Sequence, residues 1–71
     1  MYIASFKSIT NAIKGKNALT KSSIEAEIIK LDPTFTDKGC AYGVKFNHYN
    51  LTLIYEIFNQ NKVKYVQIKK I

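Results

Sequence analysis

The 71-residue chain has no arginine and no tryptophan, one cysteine, one proline and three glycines. Each shortage excludes something. Without arginine there is no planar guanidinium fork to read guanine or to clamp a phosphate with two parallel hydrogen bonds. A single cysteine builds neither an internal disulfide framework nor a Cys-rich zinc site. Three scattered glycines do not make a phosphate-cradling loop. The acids Glu25, Glu27, Asp32, Asp37 and Glu56 show no paired-carboxylate spacing. No apolar run approaches the ~18 residues of a membrane span. Residues 1–7 are too short for the apolar region of a secretory signal. The expectation is a cytoplasmic protein with a reduced thiol, no bound metal or cofactor, and no membrane association.

What is present is enough for one folded domain over residues 1–71. Apolar residues make up 46% of the chain, too many for disorder. A chain this short buries only about 60% of its unfolded surface, so a deep substrate cavity is not expected. Function should sit on the surface, on one side chain or at a subunit interface. The net charge of +6 comes entirely from lysine. The lysines are spread along the chain instead of concentrated on one stretch, which reads as a solvated surface more than a nucleic-acid footprint.

Residues 2–6 are β-rich and end at a helix start, with Ser8 as the N-cap and Thr10 as the alternative. Ile9, Ala12, Ile13 and Leu19 follow near helical spacing, with Gly15 weakening the helix and residues 20–23 ending it. Residues 24–31 read as a second strand with Ile24, Ala26 and Ile28 facing the core. Residues 32–39 are turn-rich. Residues 40–46 read as a third strand, with Cys40, Tyr42, Val44 and Phe46 on one face and Gly43 marking a close approach or a bulge. Asn50 is the N-cap of a second helix whose apolar stripe is Leu51, Ile54, Tyr55 and Phe58. Asn61 is suited to the left-handed conformation at its end. Residues 63–71 form the last strand.

The order β-α-β-β-α-β in one small domain predicts an α+β fold, the ferredoxin-like βαββαβ sandwich. Right-handed crossovers place both helices on one face of a four-stranded antiparallel sheet ordered 4-1-3-2. The other face is left without helices. Its apolar side chains suggest a partner or a homodimer formed through that open face.

This topology places Cys40 at the sheet end where the first helix begins, close to Phe6, Lys7 and Ser8. A helix N-terminus carries about half a positive charge and unpaired N–H groups. With Lys7 and Lys38 at the same end, that setting favours a thiolate, and Gly39 lets the loop turn tightly before it. Cys40 is the candidate nucleophile or sulfur carrier, with Lys38, Gly39, Lys7 and Ser8 as its binding surroundings. A plain packing role is the alternative. His48 lies about 26 Å away along an extended strand, which excludes a Cys40–His48 dyad within one chain.

The early strand at residues 2–6, the Ser8 helix start with Ala12, and above all Lys38-Gly39-Cys40-Ala41-Tyr42-Gly43 resemble the selenium/sulfur carrier-like family of small bacterial proteins. The resemblance covers nearly the whole chain. It implies a ferredoxin-like fold and a persulfide or selenosulfide carried on Cys40 between donor and acceptor proteins. Many members have glycine just before the second strand, where this chain has Ser22-Ser23.

Two other functions compete. The fold also hosts RNA-binding modules that stack bases on aromatics of strands 1 and 3, a role open to Tyr2 and Tyr42 if they face the helix-free side. The missing arginine and the dispersed lysines argue against nucleic acid. The other competitor is a small interaction module that oligomerises through the open sheet face and has no chemistry.

Overall fold

The computed structural model describes residues 1–32, 39–48 and 50–71. Its elements are β1 (Tyr2–Phe6), α1 (Ile9–Lys21), β2 (Ala26–Lys30), β3 (Tyr42–Phe46), α2 (Leu51–Gln60) and β4 (Gln67–Lys70). The four strands form one antiparallel sheet in the order β2-β3-β1-β4. This is the ferredoxin-like α+β arrangement. The expected third strand starts two residues later, at Tyr42, and the fourth starts at Gln67 instead of Val63. Most of the turn-rich stretch, residues 33–38, lies outside the described residues.

Both helices start where their caps predict. Ser8 is extended (φ −131°, ψ 152°), and its Oγ accepts the Asn11 N–H at 3.2 Å. Asn50 Oδ1 accepts the Leu53 N–H at 3.3 Å. The helices pack on one sheet face. Ala12, Ala18 and Leu19 of α1 and Ile54, Ile57 and Phe58 of α2 meet Ala4, Phe6, Val44 and Phe46 of the sheet.

The buried side of α1 differs from the expected stripe. Ile9 and Ile13 are exposed, and the helix buries Ala12, Gly15, Ala18 and Leu19. Gly15 explains the choice. A Cβ there would lie 2.7 Å from Phe6 Cζ, so the missing side chain lets α1 settle onto β1. On α2, Tyr55 is exposed and Ile57 takes its place in the core.

Neither helix ends on glycine, yet both end in the same motif. After α1, the Ile24 N–H bonds the Leu19 carbonyl at 2.9 Å and the Ser23 N–H bonds Thr20 at 3.0 Å, with Ser23 at φ 62°. After α2, the Val63 N–H bonds Phe58 at 2.9 Å and the Lys62 N–H bonds Asn59 at 3.2 Å, with Lys62 at φ 54°. These are Schellman ends, whose left-handed position usually belongs to glycine. Asn61, the residue expected to turn left-handed, has φ −97° and instead donates its Nδ2 to the Ile57 carbonyl at 2.8 Å. A Cβ in the left-handed region is strained. Ser23→Gly and Lys62→Gly are therefore each expected to raise stability by about 0.5–1 kcal/mol. A higher denaturation midpoint at unchanged slope is the check, and a lower midpoint would mean that the side chain contributes more than the strain costs.

Candidate functional site

The sheet has two unlike faces. Toward the helices point Ala4, Phe6, Val44 and Phe46, with Tyr2, Tyr42, Ala26, Ile28 and Ile68 packed beside them. Tyr2 stacks on Phe46 at 5.9 Å between ring centroids. Neither tyrosine faces the helix-free side, so the base-stacking platform expected of an RNA-binding module is not formed. Both rings complete the main core, because even-numbered positions on β1 and β3 point that way.

The helix-free face holds a second, smaller cluster. Ile3, Leu31 and Cys40 are buried there, with Ile29 and Val66 packed against them. Gly43 makes room for it. A Cβ at Gly43 would lie 2.9 Å from both Ile3 Cγ2 and Leu31 Cδ2. Ser5, which pairs with Gly43 across the strands, is buried beside them. This face therefore offers a second copy of the chain less exposed apolar surface than the sequence pattern implies.

Cys40 does not share a face with Tyr42, Val44 and Phe46 as the alternating pattern predicts. The strand begins only at Tyr42, and Gly39 just upstream is left-handed at φ 74°. Strict alternation does not extend through that bend, and Cys40 joins Leu31 and Ile3 instead. The thiol is free, and residue 40 is buried with 5% of its surface accessible.

The register shows which candidate residues share one end of the sheet. Phe6 pairs with Tyr42. Ser8 follows Phe6 by two residues and Cys40 precedes Tyr42 by two, so in this antiparallel pair both sit at the end where β1 hands over to α1. Lys7 is exposed there, Gly39 is exposed, and Ser8 is committed to its capping bond. Lys38 lies outside the described residues. β4 begins at this same end, since Ser5 pairs with Gln67, and Lys64 just before it is exposed. His48 lies beyond the other end of β3, where its Nδ1 accepts the Asn50 N–H at 3.1 Å. It serves helix entry and does not reach Cys40.

Other features lie elsewhere. An open cleft of about 690 Å³ runs past Met1, Glu25, Glu27 and Lys45 at the end opposite Cys40. Burial, and then the neighbouring Tyr55, push the Tyr65 phenol pKa above its ordinary value, and its ring packs on Phe58. Among the described residues, no group of three or more His, Cys, Asp and Glu side chains converges as a metal-ligand set. No helix among them is long and apolar enough to cross a membrane.

Fold and site together define a small ferredoxin-like α+β domain with a lone thiol at the sheet end where the first helix begins. A family model described as "Putative Se/S carrier protein-like" matches residues 1–70, and the chain belongs to that family. No curated protein and no solved structure gives a match to the chain.

Sequence reasoning missed Ile3 and Leu31, the residues that pack with Cys40 on the helix-free face. The one available signal was Gly43, whose place inside a strand implies a close approach. Here two side chains make that approach.

Proposed function

We propose that this chain carries sulfur or selenium on Cys40, as a persulfide or selenosulfide, from a donor protein to an acceptor protein. The observation that carries the reading is the combination of family membership over residues 1–70 with a single cysteine in the whole chain. Carrier chemistry in this chain has one sulfur nucleophile to use.

The exchange balances without an outside oxidant or reductant. The Cys40 thiolate attacks the outer sulfur of a persulfide on the donor's cysteine. A new S–S bond forms at Cys40, the donor's S–S bond breaks, and the donor leaves as a thiol after taking up a proton. Delivery repeats the step with the acceptor's thiol as the attacking group. A selenosulfide exchanges in the same way, with selenium as the transferred atom. Because Cys40 is buried, loading requires its cover to move, and the exposed, left-handed Gly39 directly precedes it.

Incubation with a low-molecular-weight persulfide should add the mass of one sulfur atom to the intact native protein. A reducing thiol should remove that mass, and Cys40→Ser should never acquire it. No added mass on the wild type, together with a thiol that resists alkylation until the protein is denatured, would assign Cys40 to packing and end the carrier reading.

A further inference from the structure

We propose that β2 is the contact edge of a homodimer and pairs antiparallel with β2 of a second copy, so that one sheet runs through both. β2 lies at one edge of the sheet and β4 at the other. The Leu31 N–H donates to the Ala41 carbonyl at 2.9 Å, in line with the β2–β3 register. Bonded and non-bonded pairs alternate along an antiparallel ladder, so Glu27, Ile29 and Leu31 bond inward to β3. Ala26, Ile28 and Lys30 then aim three N–H and three C=O groups away from the sheet, and none has a partner among the described residues. Such a row is a template for another strand.

Charge distinguishes the two edges. β4 carries Lys69 and Lys70, with exposed Lys64 ahead of it, and edge lysines keep other strands away. β2 carries Glu27 and Lys30, with Glu25 directly before it, and is the one described strand that holds a carboxylate. Two copies of a chain with net charge +6 therefore meet with least repulsion at β2.

The β2 edge is also complementary to itself. A two-fold axis through Ile28, perpendicular to the sheet, sets Ile28 against Ile28 and Ala26 against Lys30 of the second copy. All the outward groups of both strands are then bonded. Glu27 falls opposite Ile29 and Glu25 opposite Leu31, so no like charges face each other. Lys30 of the second copy comes against the wall of the open cleft formed by Glu25, Ala26 and Glu27. Glu27 already stands across the ladder from Lys45, which leaves Glu25 as the carboxylate for the incoming ammonium. On the helix side, α1 packs over β2 and β3. Its row Lys14, Ala18 and Lys21 opens toward Asn61 after α2. Ile9 and Ile13 lie about a third of a turn around from that row, on the flank toward β2. They are 41% and 44% exposed, and the same axis brings these two flanks together over the seam.

The pairing needs no sulfur chemistry and is tested on the unmodified chain. In sedimentation from micromolar to millimolar concentration, the wild type should pass from monomer to dimer. The Ala26, Ile28 and Lys30 amides should gain protection from hydrogen exchange in the dimer only. Ile28→Pro removes an N–H that the monomer's own ladder does not use, so it should fold and stay monomeric. Lys30→Glu places an acid beside Glu25 and Glu27 of the second copy and should weaken the dimer about tenfold, since two equivalent contacts are lost at once. Adding Glu25→Lys should restore most of that loss. Lys30 and Glu25 are exposed, so this pair tests the seam even if Ile28→Pro fails to fold. A wild type that stays monomeric throughout, or a dimer in which these amides gain no protection, would overturn the pairing. A dimer indifferent to Lys30→Glu would overturn the register centred on Ile28.

Discussion

Phe6→Ala is expected to remove about half of the domain's stability or more. Phe6 is fully buried, meets Phe58 edge-on at 6.2 Å, and presents its ring tip to the space left open by Gly15. It thus joins β1, α1 and α2 at one point. Truncating a buried phenylalanine costs about 3–5 kcal/mol, from lost transfer energy and the void left behind. A chain of this length has about 4–10 kcal/mol in total. The variant should melt far below the wild type, with a measurable unfolded fraction in circular dichroism at room temperature. A midpoint within a few degrees of the wild type would mean that α1 collapses into the void, which the close Gly15 contact argues against.

Gly43→Ala should couple stability to the reach of the thiol. The added methyl lands 2.9 Å from both Ile3 and Leu31, and neither is a long flexible chain. Overpacking of this kind costs about 1–3 kcal/mol. The strain falls on the small cluster that includes Cys40 and not on the helix side. If it raises the energy of the closed cover alone, native-state alkylation of Cys40 should speed up by about tenfold for every 1.4 kcal/mol. A loss of stability with no change in that rate would show that Leu31 and Ile3 do not control access to the sulfur.

Much of the architecture was legible because it rests on local signals. Ser8 and Asn50 are capping residues ahead of apolar periodicity, and both helices begin there. Alternation in residues 24–28 assigned Ile24, Ala26 and Ile28 to the core side, where they lie. The misses share a physical cause, since each depends on what a neighbouring element allows. On α1 the sequence pattern favoured large Ile9 and Ile13. The sheet kept Ala12 and Leu19 but took Gly15 and Ala18 in place of the two isoleucines, because small residues let a helix approach closely. The left-handed turns at Ser23 and Lys62 carry no sequence mark, as neither residue is glycine or asparagine.

The site was legible in position and not in orientation. Topology alone put Cys40 at the end of the sheet shared with Ser8, and the register agrees. Its face was misread because a period of two was extended through residues that are not strand. One residue of irregular backbone reverses a side chain's direction, and no composition signal marks where a ladder stops. Burial of the thiol followed from the same reversal, since it brought Cys40 against Leu31.

The sheet divides the apolar interior unequally. Among the described residues, twelve buried apolar side chains lie on the helix side and three on the other. Parting the smaller set costs less than melting the larger, so on the carrier reading proposed above the Cys40 thiol can be uncovered while the helix side stays folded. If Cys40 carries sulfur as proposed, a partner protein that displaced Leu31 would reach it without unfolding the domain.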